Sequence, residues 1–169
     1  MEISKLSENG IKIKSKSALL GINAAQTKIV VDAAIFFETT VENFNKENTA
    51  VIINGPGEYE IKGIKISGHK KEEAVTYTAR IDNIKIGIVK ASALPKTKDV
   101  LEDLDIVIVE ADVIPDQKLI AALNAKVIIL SGLSAQEGAK TLGKEVSPIT
   151  KYVATKDKLP SEMEVVVLG

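Results

Sequence analysis

NGPGEYEIKGIKISG, residues 54–68, places four glycines and one proline around a run in which isoleucine alternates with charged residues. Alternation with a period of two is the signature of a half-buried strand. Gly55-Pro56-Gly57 reads as a sharp reversal, because Pro presets one turn dihedral and Gly accepts the positive φ that other residues avoid. Lys62-Gly63 then turns the chain again into IKIS. A phosphate-binding loop needs G-x-x-x-x-G-K-[ST] leading into a helix, and a dinucleotide fingerprint also needs a following helix. Here the glycines lead into β alternation, so the stretch reads as a double turn between strands.

Working outward, the first half continues in the same period. Strands are predicted over Glu2–Leu6, Ile11–Lys14, Ala18–Ile22 and Lys28–Asp32. After the polar, ambiguous stretch AIFFETTVENFNKENT (34–49), the pattern resumes over Ala50–Ile53, Glu58–Ile61, Gly63–Ser67, Val75–Ile81 and Ile84–Val89. Asp82-Asn83 supplies the tight turn between the last two. The charged run Lys70–Glu73 reads as a solvated hairpin tip.

The second half alternates strand and helix. PKTKDVLEDLD (95–105) and PDQKLIAALN (115–124) each open with Pro at a first helical position, and DIVIVEAD (105–112) and AKVIIL (125–130) are apolar runs of the kind covered on both faces. SAQEGAKTLG begins with Ser134 and carries Glu137 three residues on, the spacing of a capping box, with Gly143 where a helix stops. Strands at 152–155 and 163–168 follow. No repeat or linker interrupts this order, so residues 1–169 read as one domain with a mixed sheet covered by helices.

Composition narrows the function classes. The hydrophobic content of 45% is mostly aliphatic, with no Trp, and 22 basic residues face 23 acidic ones. No net field attracts nucleic acid or an anionic membrane. The absence of cysteine excludes disulfides, thiolate zinc sites and a cysteine nucleophile. No apolar run reaches the about 20 residues of a membrane span, and the N-terminus lacks a signal-peptide pattern, so a cytoplasmic location is expected.

VIINGPGEYEIKGIKISG resembles the GPGEYE block of small proteins in the metallo-β-lactamase superfamily, described as zinc-dependent hydrolases. VTYTARIDNIKIGIVKASAL resembles that family's strand pair ending in a metal-ligand aspartate, and NAKVIILSG its penultimate strand, which ends in a ligand histidine. The match covers roughly residues 1–140. It implies a four-layer αββα sandwich, reduced in size, with two mixed sheets flanked by helices and a metal site at one edge.

The same resemblance implies where zinc ligands belong. A catalytic dinuclear site needs about three N or O ligands per metal and an open position for water. The family's His-x-His-x-Asp-His run falls after KIVVD, at Ala33 and beyond, where the chain reads AAIFFETTVENF. The ligand aspartate maps to Ala91, between Lys90 and Ser92, and the final histidine to Ser131-Gly132. The one histidine, His69, falls near the later metal histidine but reads as an exposed hairpin residue. Asp32, Glu38, Glu110 and Asp112 stand near strand ends without forming a ligand cluster pattern.

Ala33, His69, Ala91 and Gly132 therefore mark the region of a vestigial site, with no catalytic residue, metal ligand or cofactor assigned. With the site gone, Phe36, Phe37 and aliphatic residues near Ala91 and Leu133 are expected to collapse into the vacated cleft. The expected function is a binding or self-associating module, with a protein partner or a homodimer; the alternative is a metal-dependent hydrolase with a rearranged site. Neither nucleic acid nor membrane is an expected partner.

Overall fold

The computed structural model describes residues 1–7, 10–24, 28–38 and 49–169, with Thr49 and Ala50 described by backbone alone. The chain opens with strands β1 (Glu2–Lys5), β2 (Ile11–Lys14), β3 (Leu19–Ile22), β4 (Val31–Ile35) and β5 (Thr49–Ile53). The meander follows as β6 (Gly57–Ile61), β7 (Ile64–Lys71), β8 (Ala74–Ile81) and β9 (Ile84–Lys90). Then come helix α1 (Leu94–Thr97), β10 (Ile106–Glu110), α2 (Gln117–Ala122), β11 (Val127–Ser131), α3 (Ala135–Thr141), β12 (Lys151–Val153) and β13 (Glu164–Val167).

These strands form two mixed sheets, in the orders β12-β1-β2-β3-β4-β5 and β13-β11-β10-β9-β8-β7-β6. Strands β3, β4 and β5 run parallel in the first sheet, and β9, β10, β11 and β13 in the second. Alternation sends one side chain of each pair inward, so Ile3, Ile13, Leu20 and Ile35 of the first sheet share a core with Ile66, Tyr77, Ile86, Ile108 and Ile129 of the second. Each such isoleucine contributes about 1.5–3 kcal/mol by leaving water.

The described helices all lie against the second sheet. Leu94 in α1, Ile120 in α2 and Ala139 in α3 pack on Val107, Val109, Ile128 and Leu130, the outward side chains of β10 and β11. The sandwich of two mixed sheets with helices expected from the sequence is thus the architecture observed; most of the ambiguous stretch 34–49, at 39–48, lies outside the described residues. That sheet's outer face carries Val31, Ala34 and Phe36, packed with Leu19 and Ile52.

The double turn at 54–68 is where local chemistry fixes the second sheet. Lys62 and Gly63 take φ of 49° and 81° between the paired Ile61 and Ile64, the two positive values of a two-residue hairpin turn. Asp82 and Asn83, at 51° and 67° between paired Ile81 and Ile84, repeat it. Gly68 has a different role: a Cβ there would lie 2.3 Å from the Gly55 carbonyl oxygen and 3.1 Å from Tyr77 Cε1. The Gly55-Pro56-Gly57 loop therefore folds down onto β7 through a gap that only glycine leaves, and the Tyr59 hydroxyl holds it by donating to the Gly55 carbonyl at 3.1 Å.

Several boundaries moved. The strand expected at Lys28–Asp32 is β4 at Val31–Ile35, because Ile29 and Val30 stay exposed and the buried run starts later. β7 extends to Lys71, so Lys70 is strand and the turn falls at 72–73. The helix expected over 95–105 is short: α1 keeps Pro95 in its first turn and gives way to a 3₁₀ turn at Lys98–Val100. The capping box does not form, since Ser134 makes no side-chain cap bond; the cap that does form is Asp116 on α2, accepting from the Lys118 and Leu119 amides. Gly143 ends α3 with φ 70°, as its position predicts.

The Gly68 contact gives a direct test. Gly68→Ala should lower unfolding free energy by about 1–3 kcal/mol, the usual cost of forcing a methyl into packed backbone. Gly55→Ala, where an added Cβ meets nothing within 4 Å, should stay close to the parent in the same urea titration.

Candidate functional site

In open parallel sheets, ligand sites form beyond the carboxyl ends of the strands, where backbone groups and loops diverge. Here five such ends meet at one end of the sandwich: β3 and β4 from the first sheet, β9, β10 and β11 from the second. Each of the last three finishes its apolar run on a polar residue, Lys90, Glu110 and Ser131, and these stand side by side in register. Because Ile88, Ile108 and Ile129 two residues earlier face the shared core, the three polar side chains face the gap between the sheets.

The facing sheet supplies partners. Asn23, just past β3 with φ 49°, donates from Nδ2 to Glu110 Oε2 at 2.5 Å. Glu38, past β4, pairs with the Lys90 ammonium, which also stands 5.7 Å from the centre of the Phe37 ring. The buried Tyr77 hydroxyl donates to the Phe36 carbonyl at 2.6 Å, a third bond between the sheets at this end. Beside them, Asp112 accepts from the Ser92 hydroxyl at 2.5 Å and the Ser92 amide at 3.1 Å. The result is a lysine set among three carboxylates, Glu38, Glu110 and Asp112.

Titration behaviour follows from that geometry. Burial works against the Lys90 charge, but the Glu38 hydrogen bond and the charges of Glu38, Glu110 and Asp112 outweigh it and hold Lys90 above the ordinary lysine value. Burial pushes Glu110 up, and Lys90 and Asn23 offset this incompletely while Glu38 and Asp112 add to it. Burial likewise drives the Tyr77 hydroxyl far above its ordinary value, so it stays a neutral donor. Ser131 Oγ is buried with no hydrogen-bond partner among the described residues.

The structure places the four marked positions unequally. Ala91 and Gly132 directly follow β9 and β11 at this end, and Gly132, at φ 102°, packs on the Ala111 backbone. Ala33 lies inside β4, fully buried between Leu20 and Val51, two residues short of the strand end; Phe36, Phe37 and Glu38 occupy the end itself. His69 is neither a hairpin tip nor part of this end. It is half-buried in β7 on the outer face of the second sheet, with Nε2 3.1 Å from Thr78 Oγ1. Asp32 is also remote, accepting from the Leu19 amide at the start of β3 and pairing with Lys62.

The expected collapse is partial. Phe37 packs into the core against Tyr77, with ring centroids 6.2 Å apart, and Phe36 is buried on the opposite face of its sheet. Leu133, however, is 83% exposed, and an open cleft of about 500 Å³ remains, lined by Phe37, Glu38, Val75, Lys90, Ser92 and Lys96. A zinc set does not fit what is present. Among the described residues no three His, Cys, Asp or Glu side chains come together to hold a metal, and the one imidazole faces away.

With this geometry in hand, the fold is that of the metallo-β-lactamase superfamily. A Thermotoga maritima protein of that superfamily, named a candidate Zn-dependent hydrolase, superposes with a TM-score of 0.76 at 17% identity, covering 99% of this chain and 98% of its own. Isothiocyanate hydrolase from Delia radicum gut bacteria matches at 0.57 and 10% identity over 91% and 99% of the two chains. A diphosphatase of the PhnP family matches at 0.55 and 11% over 95% and 81%. No family model matches the chain, and no curated protein does.

Glu110 makes stability depend on pH. Its folded pKa lies above the ordinary 4.5, so the folded state holds its proton more tightly than the unfolded one; the associated stability is present below 4.5 and is lost as pH rises through the folded value. Glu110→Gln removes the charge and keeps an oxygen for Asn23. At pH 7 the variant should melt at or above the parent, with a gain of up to about 1 kcal/mol. At pH 4 that gain should shrink toward zero. A variant that is less stable at pH 7 would mean that Lys90 attraction outweighs burial.

Proposed function

We propose that this chain is a metallo-β-lactamase-fold domain, residues 1–169, whose zinc site has been replaced by an internal ion-pair network and which acts without catalysis, as a cytoplasmic binding or self-associating module. The observation that carries this reading is Lys90: its ammonium, paired with Glu38 and set close to Glu110 and Asp112, supplies at the strand ends the positive charge that a metal ion would supply. A lysine there pairs with Glu38 and partly offsets the burial of Glu110 without offering the open coordination position that activates water. The three cross-sheet bonds at the same end support it, since they join the two sheets through the chain's own groups.

Membrane attachment by a helix finds no support, because no helix among the described residues is long and apolar enough to cross a bilayer. A homodimer fits a sandwich whose edge strands β12 and β5 each leave a hydrophobic residue exposed, Val153 and Val51.

Metal analysis decides between this reading and a hydrolase with a rearranged site. Purified protein dialysed against Zn²⁺ or Mn²⁺ and then against buffer should retain well under one equivalent by plasma mass spectrometry. Stoichiometric retention, lost on Glu110→Ala, would overturn the proposal. Sedimentation velocity on the same sample reads self-association directly.

A further inference from the structure

At the end of the sandwich opposite the strand ends just described lies a second cleft, of about 650 Å³, lined by Lys16, Lys65 and Arg80 together with the turns at Gly63 and Asp82-Asn83. Its cations come from three separate segments: Lys16 from the turn after β2, Lys65 from β7 and Arg80 from β8. Lys65 stands directly opposite Arg80, and Arg80 directly opposite Lys85 on β9, so three like charges form one row across three strands. Directly opposed like charges destabilise a sheet. Among the described residues none of Lys16, Lys65, Arg80 and Lys85 forms a side-chain ion pair, whereas Lys62, Lys70, Lys71, Lys90 and Lys96 each have a carboxylate partner.

Arg80 is also the only arginine among the chain's 22 basic residues. Its planar fork matches an oxyanion through two parallel hydrogen bonds, which a lysine cannot reproduce. The carboxylate in the cleft, Asp82, is already engaged by the ammonium at Met1, 3.3 Å away, and by the Lys16 amide. Asp82 is therefore not free to neutralise the row, and Glu60, directly opposite Lys65 on β6, borders only its Lys65 end and makes no ion pair with it among the described residues.

From these observations we propose that this cleft binds a small phosphate-bearing anion, held by the Arg80 fork and by Lys65 and Lys16. A multiply charged tetrahedral oxyanion suits three converging cations better than a single carboxylate does. A small ligand fits better than a nucleic acid: Glu58 and Glu60 lie on β6 beside Ser67 and Lys65 on the same face, where a long polyanion would meet them, and the chain as a whole carries a net charge of −1. This site is independent of the strand-end network and of its proposed function.

The test is calorimetric titration of the full chain with inorganic pyrophosphate in low-salt, phosphate-free buffer, with a short single-stranded oligonucleotide as the second arm. Saturable pyrophosphate binding is expected, weakened at least tenfold by Arg80→Gln and by a smaller factor by Arg80→Lys, which keeps the charge and loses the fork. Arg80→Gln should melt at or above the parent, since it removes a like-charge neighbour, so lost binding would not reflect unfolding. Absence of saturable binding, or unchanged affinity in a Lys65→Gln/Arg80→Gln double variant, would overturn the proposal. Tighter, Arg80-dependent binding of the oligonucleotide than of pyrophosphate would overturn it in favour of an extended polyanion surface.

Discussion

Ile3, Ile13, Leu20 and Ile35 on one sheet and Ile66, Tyr77, Ile86, Ile108 and Ile129 on the other exclude water from a shared interior, and that exclusion governs the polar groups at both of its ends. A charge or hydroxyl at the rim of a dry core needs a partner, because its lost hydration is not otherwise replaced. At the carboxyl ends of the parallel strands the partners come from across the gap: Asn23 for Glu110, Glu38 for Lys90, the Phe36 carbonyl for Tyr77. At the opposite end the buried Asp105 is met by the Lys85 amide and the Lys156 ammonium. Burial raises its pKa and these partners more than offset it, so it stays below the ordinary aspartate value.

Under the proposed reading, the strand-end network takes the place at this edge that a metal ion would take. Metal ligation and ion pairing answer the same electrostatic problem, several acceptor groups converging at a low-dielectric edge, with different consequences. A metal keeps open positions and Lewis acidity; an ammonium has three donors and no open coordination site. The cleft of about 500 Å³ over Phe37 and Lys90 leaves room at this edge.

Charge is balanced over the whole chain but not locally. Carboxylates gather around Lys90, while Lys16, Lys65, Arg80 and Lys85 gather at the far end with no side-chain ion pair among the described residues. A near-neutral total therefore conceals an uneven surface, whose local field reaches about a Debye length, roughly 10 Å, into solvent.

Much of this was legible in the sequence. Period-two alternation and paired turn residues specified the meander through Lys62-Gly63 and Asp82-Asn83, since a two-residue hairpin tolerates few other residues, and the GPGEYE block pointed to the sandwich. The polar residues that end IGIVK, IVIVE and VIILS were also readable as strand ends. Periodicity could not fix where β4 begins, because Lys28–Asp32 and Val31–Ile35 overlap in one apolar run, and only burial, which leaves Ile29 and Val30 exposed, separates them. It could not tell which face His69 takes either, because a strand's faces are assigned by what packs on them. The sequence by itself determined the element types, the hairpins and the lack of imidazoles for zinc. Only the tertiary structure decided that Lys90, Glu38, Glu110 and Asn23 meet, because their contacts span up to 87 residues and exist only once the two sheets face each other.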